Sequence, residues 1–380
     1  MRKNRLKYYV LPIVFMVIIT FPIINSSLHL FKDIETTENR ALAEKPTVDL
    51  GLLDDFPKDY EAYFDDHFEM RNLLQYYYGI ISLYGFNKSP LPEKAFIGLN
   101  GFLYMNKKEL FIYRGTQLYS PDELDRMYQK FKYRTDYLME RGIKYYAVIV
   151  PVKSTIYPEH IPPHIYQINH FNKTDQLIEK IKDIKGLEII DLREPLYEAK
   201  NSDTLLYYKT DNHWNDLGAF YAAQEINKHL RKTFPNIPAL RKSDFHVEIG
   251  ERKGGNIARM LGMEEDFVDT EVKLQAIDTL SKYTASKDKK RGYPIPKLFP
   301  YKWIYEVSMK TNNDDLPSAL IIRESFGGKI IPFLSRGFSK SEYIFDSWEY
   351  RFHEDMIENE KPDIYIQMSL EAFQDNMLDY

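Results

Sequence analysis

The feature that most constrains the fold of this 380-residue chain is a series of short apolar runs of strand length, separated by segments with helical periodicity. Lys144 to Val150 is the first and Gly186 to Leu192 the second; Leu316 to Arg323, Tyr343 to Phe345 and Asp363 to Met368 follow toward the C-terminus. Such runs are read as strands buried on both faces, and the helices between them supply the crossovers that parallel pairing needs. The pattern predicts an α/β domain with a central, mainly parallel sheet flanked by helices. Helices are expected over Thr174 to Lys185, over Asp216 to about Leu230 and from Glu354 to Glu360. The 44% hydrophobic content is enough for a substantial core.

Local signals refine this outline. Asn100-Gly101 between apolar runs over Ala95 to Tyr104 predicts a β-hairpin. Ser120-Pro121-Asp122-Glu123 opens a helix that Gly142 ends. A helical rhythm through Tyr60, Phe64, Phe68, Leu73 and Leu74 covers Phe56 to Tyr84, and the cluster Asp65-Asp66-His67 with Arg71 reads as ion pairing and capping at a break. Gly250 to Gly262 is glycine-rich and reads as an irregular wall, and the polar stretch Asp266 to Lys310 as an exposed excursion. At the N-terminus Arg2, Lys3, Arg5 and Lys7 precede an uncharged, mostly apolar run from Tyr8 to Ile24. That run is at the short end for a bilayer span and longer than a signal-peptide core, so residues 8–24 are expected to anchor the chain in the membrane. The basic flank stays cytoplasmic and the remainder lies outside; cleavage near Ser26-Ser27 would release a secreted protein.

Chemistry concentrates in two places. Asp211 and His213, two residues apart, precede an amphipathic helix, and a carboxylate so placed can orient an imidazole whose other nitrogen faces a cleft. Ser325 follows the apolar run Ala319 to Arg323 and precedes Phe326-Gly327-Gly328, where backbone N–H groups at a helix start can hold an oxyanion. The alternatives are that Asp211 and His213 pair only locally and that Ser325 is a helix cap. Lys153, Asn256, Arg323 and Arg351 are candidates for the wall of a cleft, with Gly327 and Gly328 as oxyanion donors. No further His or Glu stands nearby to complete a metal site, and none is expected. A net charge of −5 offers no general attraction to nucleic acid, and without cysteine there are neither disulfides nor thiolate-bound zinc.

The order of Glu38-Asn39-Arg40, Asp66-His67-Phe68 with Arg71, Gly98 to Tyr104, Pro151 to Pro158, Asp211-Asn212-His213-Trp214, Arg323-Glu324-Ser325-Phe326 and Pro362-Asp363-Ile364 resembles the SGNH-hydrolase-like proteins of the AlgX/AlgJ and DHHW type. The resemblance implies an SGNH-like fold with permuted motif order, in which the Asp-x-His pair precedes the serine. It implies Ser325 as nucleophile, His213 as base, Asp211 as its orienting acid, and no cofactor. It further implies an extracytoplasmic O-acetyltransferase acting on a polysaccharide, its acetyl donor delivered by a multi-pass membrane acyltransferase. Two departures stand out: Glu324 where the family commonly has Asp, and no carbohydrate-binding module after the domain. The expected organisation is an anchor over residues 1–27, a linker over 28–55 and a catalytic domain over 56–380. An esterase with the same triad and a non-catalytic glycan- or partner-binding scaffold are the rival readings. The scaffold requires Ser325 and His213 to lie apart.

Overall fold

The computed structural model describes residues 5–32, 34, 42–48, 54–201, 204–277, 282–297 and 299–379. It divides into two compact units, Met1–Pro92 with Ala258–Phe267, and Glu93–Ile257 with Val268–Tyr380.

In the first unit a helix runs from Arg5 to Leu28, and its stretch Tyr8–Leu28 is long and apolar enough to cross a membrane. The apolar stretch thus passes the predicted end at Ile24. Beyond it, the buried Asn25 amide donates to the Phe31 carbonyl and to Glu69 Oε1. Phe56–His67 and Arg71–Ile80 form the helices expected between residues 56 and 84, separated by Met70 in the left-handed conformation at φ 64°. Asp66 accepts the Ala43 N–H, a local structural bond. Glu38-Asn39-Arg40 lies outside the described residues. The domain boundary expected at residue 56 falls within this unit.

The second unit opens with a hairpin of β1 (Ala95–Ile97) and β2 (Leu103–Met105), whose turn places Asn100 and Gly101 at φ 57° and 80°. Two adjacent positive φ values are what an Asn-Gly turn supplies at little steric cost. The main sheet contains β3 (Lys144–Val150), β4 (Leu187–Asp191), β7 (Ser286–Lys287), β8 (Glu306–Lys310), β9 (Ala319–Arg323), β10 (Lys340–Phe345) and β11 (Ile364–Leu370), in the order β4-β3-β11-β9-β10-β8-β7. The five strands from β4 to β10 are parallel, and β8 and β7 extend the sheet antiparallel. A separate antiparallel ribbon pairs β5 (Phe245–Lys253) with β6 (Val268–Ala276).

The expected β3 and the structure agree at both ends. The glycine-rich segment and the polar excursion do not. Gly250 lies inside β5, and the excursion contains β6, β7 and β8. The signal was the alternation Phe245, Val247, Ile249 and Val272, Leu274, Ala276, which has the period of strands with only one face buried.

Alternation within the parallel strands builds two cores. Tyr146, Val148, Ile321 and Ile366 face one cluster, which takes in Leu217, Phe220, Ala223, Ile226 and Leu230 of the helix Asp216–Thr233 and Ile330 of the helix Gly327–Leu334. Tyr145, Ala147, Leu320, Ile322 and Tyr365 face the other, with Met127 and Phe131 of the helix Pro121–Glu140 and Leu177 of Lys173–Ile181. The first of these latter helices starts in a complete Ser120/Glu123 capping box. All five parallel strands end at one edge, where loops can assemble a site from distant parts of the chain.

Ile321 is fully buried at the centre of β9, whereas Ile249 on β5 is 64% exposed. Ile321→Ala should therefore destabilise the protein by about 2–5 kcal/mol, and Ile249→Ala by no more than about 0.5 kcal/mol. Urea unfolding of both variants checks the contrast.

Candidate active site

The histidine loop leaves a one-residue antiparallel bridge between Tyr207 and Trp214 and enters the helix Asp216–Thr233 through Asn215, whose side chain caps the N–H groups of Leu217 and Gly218. Three groups hold the loop in place. The fully buried Lys153, in the turn of helix after β3, donates from Nζ to the carbonyls of Tyr208 (3.2 Å), Lys209 (2.9 Å) and Asp211 (2.6 Å). Asp269 on β6 accepts the N–H groups of Lys209 and Thr210 and the Thr210 hydroxyl. Thr210 in turn accepts the Gly255 N–H on Oγ1 and the Ile257 N–H on its carbonyl. The segment carrying Lys153 is itself pinned by two buried carboxylates. Glu109 accepts the N–H of Ser154, and Glu371 accepts the Val152 N–H and the Thr155 hydroxyl.

Ser325 lies between β9 and the helix Gly327–Leu334. Phe326, not Ser325, occupies the cap position, and the Ser325 hydroxyl is directed to His213. Gly327 is required for the tightness of this turn: a Cβ there would come within 2.7 Å of Arg323 Cβ. Trp214 joins the two halves, donating its indole N–H to the Phe326 carbonyl at 3.0 Å while its ring meets the Phe326 ring edge-on.

These supports bring Ser325 Oγ to 2.8 Å from His213 Nε2 and Asp211 Oδ1 to 2.7 Å from His213 Nδ1. The separation required by a scaffold reading is absent. Asp211 also accepts the backbone N–H of His213 on Oδ1 and of Asn256 on Oδ2. Burial alone would raise its pKa, but the His213 side chain and these two N–H groups outweigh it and hold the carboxyl well below the usual range. Asp211 is therefore ionised wherever the protein is folded near neutrality. Ser325 is exposed to solvent, so the relay opens at the surface.

The remaining candidates divide. Asn256 belongs to the site through its backbone bond to Asp211, and its side-chain amide lies 3.5 Å from Asn212 Oδ1. Lys153 does not enter the cleft, because it is enclosed and its charge is spent on backbone carbonyls. Arg323 is also buried, donating to the Glu324 and Ile304 carbonyls and stacking on Phe345. Arg351 pairs with Glu349. The N–H groups of Gly327 and Gly328 bond the carbonyls of Glu324 and Ser325, and that of Phe326 bonds the Glu324 carboxylate. Among the described residues the Ser325 N–H makes no hydrogen bond, so it is the backbone donor at this turn that remains available. Sequence reasoning passed over Trp214 and Asp269 as positioning residues. Asp269 had a readable signal, since it sits one residue into an alternating strand beside the site.

A family model described as "SGNH hydrolase-like domain, acetyltransferase AlgX" matches residues 97–301, more than half of the chain. The chain belongs to this family. The matched region contains Lys153, Asp211, His213 and Asn256 and ends before Ser325. The Pseudomonas aeruginosa protein named probable alginate O-acetylase AlgJ is 26% identical over 195 residues, covering 51% of this chain and 46% of that protein. The chain thus spans about half the length of this relative. Bacillus cereus PatB1 superposes with a TM-score of 0.52 at 15% identity, covering 72% of this chain and 95% of that one. A DHHW family protein from Eubacterium siraeum gives 0.50 at 17% identity, covering 74% and 92%. These two likenesses show the same overall α/β fold, which the family description names SGNH hydrolase-like.

Two variants test how this member of the AlgX family positions its site. A Cβ at Gly255 would fall 2.4 Å from Asp211 Cβ and 2.7 Å from Oδ2, so Gly255→Ala must displace the acid. Under the acyl transfer proposed below, it should lower turnover of an acetyl ester on the order of 10²-fold, the scale of a misplaced catalytic group, with an unchanged circular-dichroism spectrum. Lys153 is the second. Burial, partly countered by Glu109, Asp211 and Asp269, lowers its pKa to about 8. As pH rises through that value the ammonium becomes an amine with two N–H groups for three carbonyls. Activity should then fall on the alkaline side of about pH 8. Lys153→Met should be slow at pH 7 and lack that alkaline step.

Proposed function

We propose that this chain is an extracytoplasmic O-acetyltransferase that moves an acetyl group through Ser325 onto hydroxyls of a polysaccharide. The observation that carries the reading is the continuous relay from Ser325 Oγ to His213 Nε2 and from His213 Nδ1 to Asp211 Oδ1, at 2.8 and 2.7 Å. Hydrogen-bond reach between nucleophile and base, with the base oriented by an acid, is the requirement for activating a serine.

In the first half-reaction His213 takes the Ser325 proton as Oγ forms a bond to the carbonyl carbon of the acetyl donor. Asp211 stabilises the resulting imidazolium, and the Ser325 N–H, the turn's unengaged backbone donor, serves the oxyanion in this reading. The intermediate collapses by breaking the bond to the donor's leaving oxygen or sulfur, which receives the proton from His213. Acetyl-Ser325 remains. In the second half-reaction His213 accepts the proton of a sugar hydroxyl while its oxygen attacks the acetyl carbon. Ser325 Oγ leaves, recovers that proton, and the O-acetylated sugar departs. No redox step is involved and charge balances at each stage.

Membership of a family described by an acetyltransferase, and a relative named as an alginate O-acetylase, support acyl transfer to a glycan. The basic residues before the apolar helix support an outward-facing domain tethered at the membrane. Tethering suits receipt of the acetyl group from a multi-pass membrane acyltransferase, because donor and acceptor site then share one surface.

The test uses the detergent-solubilised full chain with p-nitrophenyl acetate, with and without oligosaccharides, followed by mass spectrometry of protein and sugar. Acetylated sugar and a trapped acetyl-Ser325 are expected. Ser325→Ala and His213→Ala should lower turnover roughly 10⁴- to 10⁶-fold, and Asp211→Asn roughly 10⁴-fold. Acetate release without sugar acetylation would make the chain an esterase. Turnover undiminished by Ser325→Ala would refute the relay.

A further inference from the structure

The chain has three tryptophans, and the structure uses them in two different ways. Trp214 is fully buried between the halves of the relay, whereas Trp303 is 70% and Trp348 48% exposed. Scattered exposed apolar residues are ordinary, but these two belong to one contiguous set. The Trp303 ring lies 5.9 Å from Tyr301, Tyr301 lies 6.2 Å from Phe299, and Phe299 lies 5.3 Å from Trp348. Phe299 is buried and packs on Tyr305 and Phe345 as well, so the indoles stand on a rigid aromatic base.

This base sits beside the serine turn. Phe345 ends β10 opposite Arg323 at the end of β9, and Trp348 packs on Phe345 at 5.6 Å. On the other side β8 runs antiparallel to β10, which brings the residues just before β8, including Trp303, to the same edge of the sheet. Arg323, two residues before Ser325, ties the two together by stacking on Phe345 and donating to the Ile304 carbonyl. The Asp346 N–H closes the same corner on the Arg323 carbonyl. One buried guanidinium thus fixes both the nucleophile's strand and the platform under two exposed indoles.

We propose that Trp303 and Trp348 form an acceptor-binding shelf, on which pyranose rings of a glycan chain stack while a hydroxyl of a neighbouring residue reaches acetyl-Ser325. The inference rests on the proposed acetyl transfer to a polysaccharide and adds where the polymer is held. An indole presents a flat apolar face with negative π density, which complements the C–H face of a pyranose. Rigid aromatic side chains also give contact area with little loss of conformational freedom. Lys302, exposed beside Trp303, and Lys290, whose Nζ donates to the Trp303 carbonyl, supply cationic groups at the rim. The shared chemistry is the pyranose face; whether the chain carries carboxylates is separated by the choice of probe.

The experiment exploits the small number of tryptophans. Full-length Ser325→Ala protein in detergent is titrated with cellohexaose and with a mannuronate hexamer, and indole emission is followed. Saturable quenching of solvent-exposed emission by at least one probe is expected, with loss of the effect in Trp303→Ala/Trp348→Ala. Saturation by the mannuronate alone would identify an acidic acceptor, and by cellohexaose a neutral one. In the Ser325-containing protein each single Trp→Ala variant should raise KM for the bound sugar about tenfold, the scale of a binding hot spot, with the loss falling on KM rather than kcat. No saturable quenching by either hexamer, quenching that survives the double variant, or an unchanged acceptor KM would overturn the shelf. Failure of the transferase reading would appear differently, as glycan-dependent quenching without Ser325-dependent transfer.

Discussion

The relay depends on the hydrogen bond from the Trp214 indole to the Phe326 carbonyl. Ser325 and His213 are separated by 112 residues and belong to different loops, so nothing local fixes their distance. The indole N–H is one residue from the histidine and the accepting carbonyl one residue from the serine. A buried bond across that gap ties the two loops directly, in addition to the shared core of the helices they lead into and the Lys329–Asp216 ion pair. Its geometry is enforced by packing, because an indole N–H buried without an acceptor would forfeit its hydration with no return. The Phe326 ring packs against both His213 and Trp214 beside this bond.

Around this link the protein buries charge in order to hold backbone. Lys153, Glu109, Asp269, Glu371 and Glu324 are all buried, and enclosing such groups opposes folding unless their hydrogen-bonding capacity is met. Most of their bonds go to main-chain groups: carbonyls for the lysine, N–H groups for the acids. Loops at a sheet edge cannot satisfy these groups with a strand ladder, so charged side chains do so instead. Burial pushes both Glu371 and Glu324 up to about 7, the cost expressed as a proton held more tightly. The result is a pair, Asp211 and His213, held in place by interactions that never touch the Ser325 hydroxyl.

This division explains what the sequence could convey. The two-sided burial of β3, β9 and β11 makes them continuous apolar runs, and their identity was plain from composition alone. Residue type also singled out Asp211, His213 and Ser325 as candidates, and the fold brings the three within hydrogen-bond reach of one another. The ribbon β5–β6 and the edge strand β8 were less legible, because one exposed face intersperses them with charged residues that resemble a loop. The function of Lys153 was hidden for another reason. A lysine after a strand's carboxyl end looks like a ligand for substrate, and only its enclosure among three carbonyls shows that it serves the backbone. Arg323 misleads in the same way, two residues before the serine in sequence but with its guanidinium stacked on Phe345 and bonded to the Ile304 carbonyl.

Glu324, immediately before Ser325, has a physical consequence at the turn. The glutamate carboxylate accepts the Phe326 N–H at 2.6 Å, so the first N–H after Ser325 is already engaged by a fixed acceptor. Gly327 and Gly328 have begun the helical hydrogen-bond pattern and are likewise engaged. The Phe326, Gly327 and Gly328 amides are thus engaged within the turn itself, and the row of free glycine donors that the sequence suggests is not there. The Glu324 charge opposes an oxyanion at Ser325 by Coulomb repulsion but favours an imidazolium on His213, toward which its field also acts. With its pKa raised to about 7 by burial, Glu324 can occupy either form near neutrality.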